Sequence, residues 1–61
     1  MAQITEKELG NINDRLSDEE NLVAKYRFYA SITEDAEMKN CFLQAAQTHQ
    51  KHYDALFANL K

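Results

Sequence analysis

The chain has 61 residues, a formal net charge of −3, no proline, no tryptophan, one glycine (Gly10) and one cysteine (Cys41). A single small domain of this length buries little core alone and needs a staple or a partner. One cysteine cannot close an internal disulfide, which leaves a metal or a second chain. The near-absence of Gly and Pro removes most of the turn vocabulary of an all-β fold or a phosphate-binding loop, and leaves helices.

The cations Lys7, Arg15, Lys25, Arg27, Lys39, Lys51 and Lys61 stand singly along the chain. Nucleic acid is bound by clustered cations that displace counterions from phosphates, so no such partner is expected. No apolar run approaches the roughly 20 residues that span a bilayer, so no membrane insertion is expected. The start, Met1-Ala2-Gln3-Ile4-Thr5-Glu6, lacks the basic and apolar regions of a secretory signal. A free Cys41 suits a reducing compartment. The expectation is a soluble intracellular helical protein.

Thr5 followed by Glu8 has the spacing of a capping box and marks a helix start. Leu9, Ile12, Leu16, Glu19, Val23, Tyr26 and Ala30 then recur at alternating steps of three and four, a seam broken by one carboxylate. Leu22 and Tyr29 widen the stripe to that of a bundle helix. Ser17-Asp18-Glu19-Glu20 is a second capping box where the helix could break, and Gly10 weakens the segment before it. The heptad register runs through Ser17 without a slip, which favours one helix from Thr5 to about Ile32.

Thr33-Glu34-Asp35 is a short polar junction, with Thr33 or Asp35 available to cap a second helix. That helix is predicted over about 35–60, with Met38, Phe42, Ala45, His49, His52 and Leu56 on its seam. Cys41, Ala46, Tyr53, Phe57 and Leu60 flank it. The predicted fold is an all-α antiparallel two-helix hairpin, a single helical domain over 1–61. A hairpin has no closed core, and Leu22, Tyr29, Cys41, Ala46, Tyr53 and Phe57 would stay half exposed. A two-fold homodimer making a four-helix bundle is the simplest assembly that covers them.

Folding the chain back at 33–35 sets Ala30 against Met38, Tyr26 against Phe42, Val23 against Ala45 and Ile12 against Leu56. All these pairs are apolar or aromatic. The exceptions are neighbouring layers, Glu19 opposite His49 and Leu16 opposite His52. His49-x-x-His52 places two imidazoles on one helix face, and Glu19 adds a carboxylate from the other helix, a mixed donor set suited to zinc or iron. Doubling the hairpin would bring this set from both chains to the dimer axis. Tyr26, two turns from Glu19, is placed to hydrogen-bond a ligand carboxylate. The same residues can instead form a charge-assisted pair that fixes register. Glu20 and Asp54 read as surface charges.

Cys41 reads as a small core-flanking residue and not as a nucleophile. The aromatics fall mostly at core spacing, which disfavours a base-stacking platform. Phe28 lies off the seam and, with Ile32, marks either a second contact surface or scattered exposure. No nucleophile–base–oxyanion set is visible, so the chain is expected not to be an enzyme.

At these residues the chain resembles the ferritin-like superfamily. Glu19-x6-Tyr26 followed by Phe28-Tyr29-Ala30 is similar to the first helix of a rubrerythrin-type domain, and Phe42-x-x-Ala45-Ala46-x-x-His49-x-x-His52 to its second. On that resemblance Glu19 matches the first-helix ligand and His52 the histidine ligand, while His49 stands where the family has a carboxylate. The segment from Leu16 to Tyr26 also resembles the "LS-x-E-x-x-LV-x-K-Y" stretch of short clostridial spore coat proteins related to the spore coat protein F (CotF) family. Ala45-Ala46-x-x-His49-x-x-His52-Tyr53 followed by Leu56 is similar to their C-terminal signature. The resemblance spans most of the chain, about 5–60. It implies a half-ferritin hairpin that pairs, a structural role in the spore coat and other coat proteins as partners. Two functions follow: a homodimeric assembly module of spore coat type, or a metal-binding ferritin-like module using Glu19, His49 and His52.

Overall fold

In a computed structural model, which describes residues 4–60, Thr5 caps the first helix as its spacing requires. Its hydroxyl oxygen accepts from the backbone N–H of Glu8 at 3.1 Å, and the Thr5 N–H donates back to the Glu8 carboxylate at 3.3 Å. Two of the N–H groups that a helix start leaves without partners are thereby met. Helix α1 then runs unbroken over Glu6–Ile32. The Ser17–Glu20 capping signal goes unused: Glu19 is needed in the middle of a contact face, and the unbroken ladder keeps it there. Of the sequence features above, Met1-Ala2-Gln3 and Lys61 lie outside the described residues.

The turn is made with ordinary backbone. Thr33 ends α1 by donating its N–H to the Tyr29 carbonyl, and its hydroxyl accepts from the N–H of Asp35 at 3.3 Å. Asp35 then caps the second helix, its carboxylate accepting from the N–H of Met38 at 3.0 Å. No described residue has a positive φ, so the reversal needs no glycine. Helix α2 spans Ala36–Ala58, ending two residues before the predicted Leu60, where the N–H groups of Asn59 and Leu60 bond back three residues. The two helices pack against each other as an antiparallel hairpin, with no strand among the described residues.

The register follows the pairing expected from the turn. Tyr26 stacks on Phe42 with ring centroids 6.2 Å apart, and Glu19 meets His49. The rotation of α2 about its own axis differs from expectation. Ala46, assigned to the flank, is buried, whereas Ala45 is half-buried and the seam residue Met38 is 47% exposed. The contact line runs through Phe42, Ala46, His49 and Tyr53, because the small Ala46 lets the helices approach where a larger side chain would hold them apart. The same rotation turns Cys41 outward: it is exposed, not half-covered on the flank of the seam.

The hairpin's core is thin. Val23, Ala30 and Ala46 are its buried apolar residues, and no large side chain is fully enclosed. Phe28 and Ile32 are 59% and 60% exposed. Gly10 lies inside α1, and a methyl group added to it would meet nothing within 4 Å. Gly10→Ala is expected to stabilise the fold by about 0.5–1 kcal/mol, because alanine loses less backbone entropy in a helix. Thermal denaturation followed by circular dichroism should show a melting point several degrees higher.

Candidate metal centre

The site lies midway along the hairpin, where the only carboxylate of the α1 seam meets the two imidazoles of α2. Glu19 comes from the middle of α1, held by the continuous helix at the level set by the turn. Its side chain is 12% exposed, so the carboxylate has lost most of its water and needs donors from the protein. Those donors are imidazoles. His49 Nδ1 lies 3.1 Å from Glu19 Oε2 and 3.3 Å from Oε1. His52 Nδ1 lies 3.3 Å from the same Oε2, a contact that is an ion pair only when the imidazole is protonated. Among the described residues no lysine or arginine comes within ion-pair distance of this carboxylate.

An ionised carboxylate only accepts hydrogen bonds, so His49 faces it as an Nδ1–H donor and leaves Nε2 as the acceptor nitrogen. The His49 and His52 rings stand nearly perpendicular, at 88°, with centroids 5.5 Å apart. Separation by three residues on one helix turns both Nδ1 atoms toward one point without stacking the rings. His49 is fixed from a second side by Tyr26, whose ring lies 5.7 Å away and 10° from parallel. Tyr26 thus reaches the site with its ring face; among the described residues, no hydrogen bond joins its hydroxyl to Glu19. Tyr26 rests in turn on Phe42 and Tyr29, and the Tyr29 and Phe42 centroids lie 5.4 Å apart. An aromatic layer therefore supports the imidazoles from the turn side.

All three residues singled out for metal come together. One donor atom from each of Glu19, His49 and His52 can be chosen so that all lie within 4.8 Å of one another. Exposure is graded across the set: the His49 side chain is 25% exposed and that of His52 is 52%. Glu20 lines a groove with Arg27, Gln50 and Tyr53 and takes no part, and Asp54 accepts from Gln50 at 3.0 Å. The resemblance implies a two-iron centre, and the donor set does not fit one. Such centres take a carboxylate from each of two helices and a Glu-x-x-His from each of two more. Here the hairpin supplies one carboxylate to two imidazoles, and no other acidic residue joins the described cluster.

What sequence reasoning missed is the role of the Tyr26 ring as a platform for His49. The spacing carries part of that signal, since Tyr26 lies two turns from Glu19 on the face that meets His49. Compared with protein-family models, curated proteins and solved structures, the chain matches none of them. No helix among the described residues is long and apolar enough to cross a membrane.

Glu19→Ala is expected to destabilise the hairpin by about 1–3 kcal/mol, because it strips a part-buried imidazole of its acceptor. A double-mutant cycle with His49→Ala, read by urea denaturation, should return a coupling of about 0.5–3 kcal/mol. A coupling near zero would show that the contact contributes nothing to stability.

Proposed function

We propose that the chain is a non-enzymatic helical assembly module that works as a homodimer, in the manner of the spore coat proteins it resembles. The observation that carries this reading is the unfinished core. Leu22 and Tyr29, seven residues apart on α1, continue at the turn end into a shallow depression shared by Tyr29, Ile32, Met38 and Phe42. Lys25 sits between Leu22 and Tyr29, its ammonium 5.8 Å from the centroid of the Tyr29 ring, so the apolar surface is concentrated at the turn end of a hairpin that encloses no large side chain. A chain of 7.1 kDa supplies no further element among its described residues to cover it, so a second copy is the economical occupant. Location in a reducing intracellular setting belongs to the same proposal and rests on the free Cys41, whereas a place in the spore coat with other coat proteins rests on the resemblance.

Sedimentation equilibrium is expected to give twice the 7.1 kDa chain mass. Met38→Glu and Ile32→Glu change residues already exposed in one hairpin, so their direct cost to it is within about 0.5 kcal/mol. They should nonetheless lower the dimer fraction. Wild-type protein sedimenting at the single-chain mass would overturn the reading.

The convergence of Glu19, His49 and His52 favours a second reading, that the module binds a divalent cation of the zinc or iron type at this level. Gently purified protein is then expected to carry stoichiometric metal by elemental analysis. Chelation should lower its melting temperature, since a ligand that binds only the folded state stabilises it by mass action. Metal-free protein from zinc-, iron- and manganese-supplemented cultures, indifferent to chelator, would eliminate it.

A further inference from the structure

We infer that each hairpin, by itself, holds one zinc ion between Glu19, His49 and His52, with a fourth coordination position left open beside His52 for an exogenous ligand. The inference rests on the cation-binding reading above and adds the stoichiometry, the metal class and the open position.

Geometry supplies the first support. Zinc bonds to imidazole nitrogen and carboxylate oxygen are about 2.0–2.1 Å, so neighbouring ligand atoms of a tetrahedral site lie about 3.3 Å apart. The two imidazole Nδ1 atoms stand 3.1 and 3.3 Å from Glu19 Oε2. These two contacts match edge lengths of such a tetrahedron, and the three donor atoms together lie within 4.8 Å of one another. On entry each imidazole presents the Nδ1 lone pair and carries its proton on Nε2. For His49 that is a change of tautomer with no net change in proton count.

Donor chemistry supplies the second. Two neutral imidazoles with one carboxylate match the three-ligand sets at which zinc keeps a fourth position for water or another ligand. A second ion would need further carboxylates, and the described cluster has only Glu19. Burial supplies the third. Glu19 is almost enclosed and His49 is held against Tyr26, whereas half of the His52 side chain faces outward. The open coordination position therefore falls on the His52 side, where small anions or a donor side chain of another molecule can reach it.

The test uses the full chain titrated with Co2+, a spectroscopic substitute for Zn2+. The expected result is one ion per chain, with the intense visible absorption of four-coordinate cobalt, displaced by one equivalent of Zn2+. Azide should shift those bands by entering the open position. The electron paramagnetic resonance intensity per cobalt should stay constant to full loading, as for isolated ions. Glu19→Gln and His52→Ala should each weaken binding at least tenfold, with helicity checked by circular dichroism. His52 is exposed enough for its variant to remain folded.

Cobalt bound at one ion per two chains, or a signal lost by coupling near full loading, would replace this site with one shared across a dimer while sparing the cation-binding reading. A weak six-coordinate spectrum, or bands indifferent to azide, would overturn the open tetrahedral site in the same way. Absence of Co2+ and Zn2+ binding would overturn this site. Absence of iron and manganese binding as well would overturn the cation-binding reading itself.

Discussion

A carboxylate set into the seam between two helices must be met by donors from the opposite helix, and the rest of this hairpin is arranged around that need. Glu19 is the one charged group on the contact line of α1. A slip of α2 by one helical turn toward its N-terminus would put Ala45 or Ala46 against it and leave the charge without a partner, which costs more than the contact itself contributes. A slip the other way brings His52, a donor already in contact, so the polar layer excludes one direction of slip outright, and the apolar layers on either side must resist the other. Wherever the imidazoles send their remaining nitrogens, the placement of Glu19 is fixed first.

The aromatic layer does a different job. Tyr26, Tyr29 and Phe42 form a continuous set of ring contacts between the turn and the histidines. Such contacts are worth about 0.5–1.5 kcal/mol each beyond the area they bury, which matters in a hairpin with so little enclosed volume. Tyr26 also carries the layer onto the His49 ring, which lies 10° from parallel to it. A site whose donors are held by packing loses less entropy when it takes a ligand than one assembled from free side chains. Stability and preorganisation thus come from the same residues.

Much of this architecture is legible in the residues themselves. The Thr5–Glu8 box, the alternating three- and four-residue steps and the polar junction at Thr33–Asp35 define the helices and the turn. The turn then fixes which residues share a level, and so brings Glu19 to His49. What does not follow from pattern is the rotation of α2. Its apolar stripe is broad enough to offer Ala45 or Ala46 to the partner helix, and the choice depends on how closely two backbones can approach, which periodicity does not encode. Cys41 turns outward for the same reason. The Ser17–Glu20 signal is a local preference overridden by the helix contacts on either side of it. Tyr26 shows a third kind of gap, because spacing locates a side chain but not which of its two surfaces, ring or hydroxyl, it offers.

The short turn has a consequence for what each contact costs to close. Tyr26 and Phe42 lie close to it along the chain, whereas Glu19 and His49 are separated by 30 residues. Closing a longer loop costs more entropy, though only as the logarithm of its length. The loop between Tyr26 and Phe42 is about half as long, so closing it costs roughly 0.6 kcal/mol less. The aromatic contact is thus the cheaper of the two to close, and the charged layer must offset a larger entropy of closure with its own interaction.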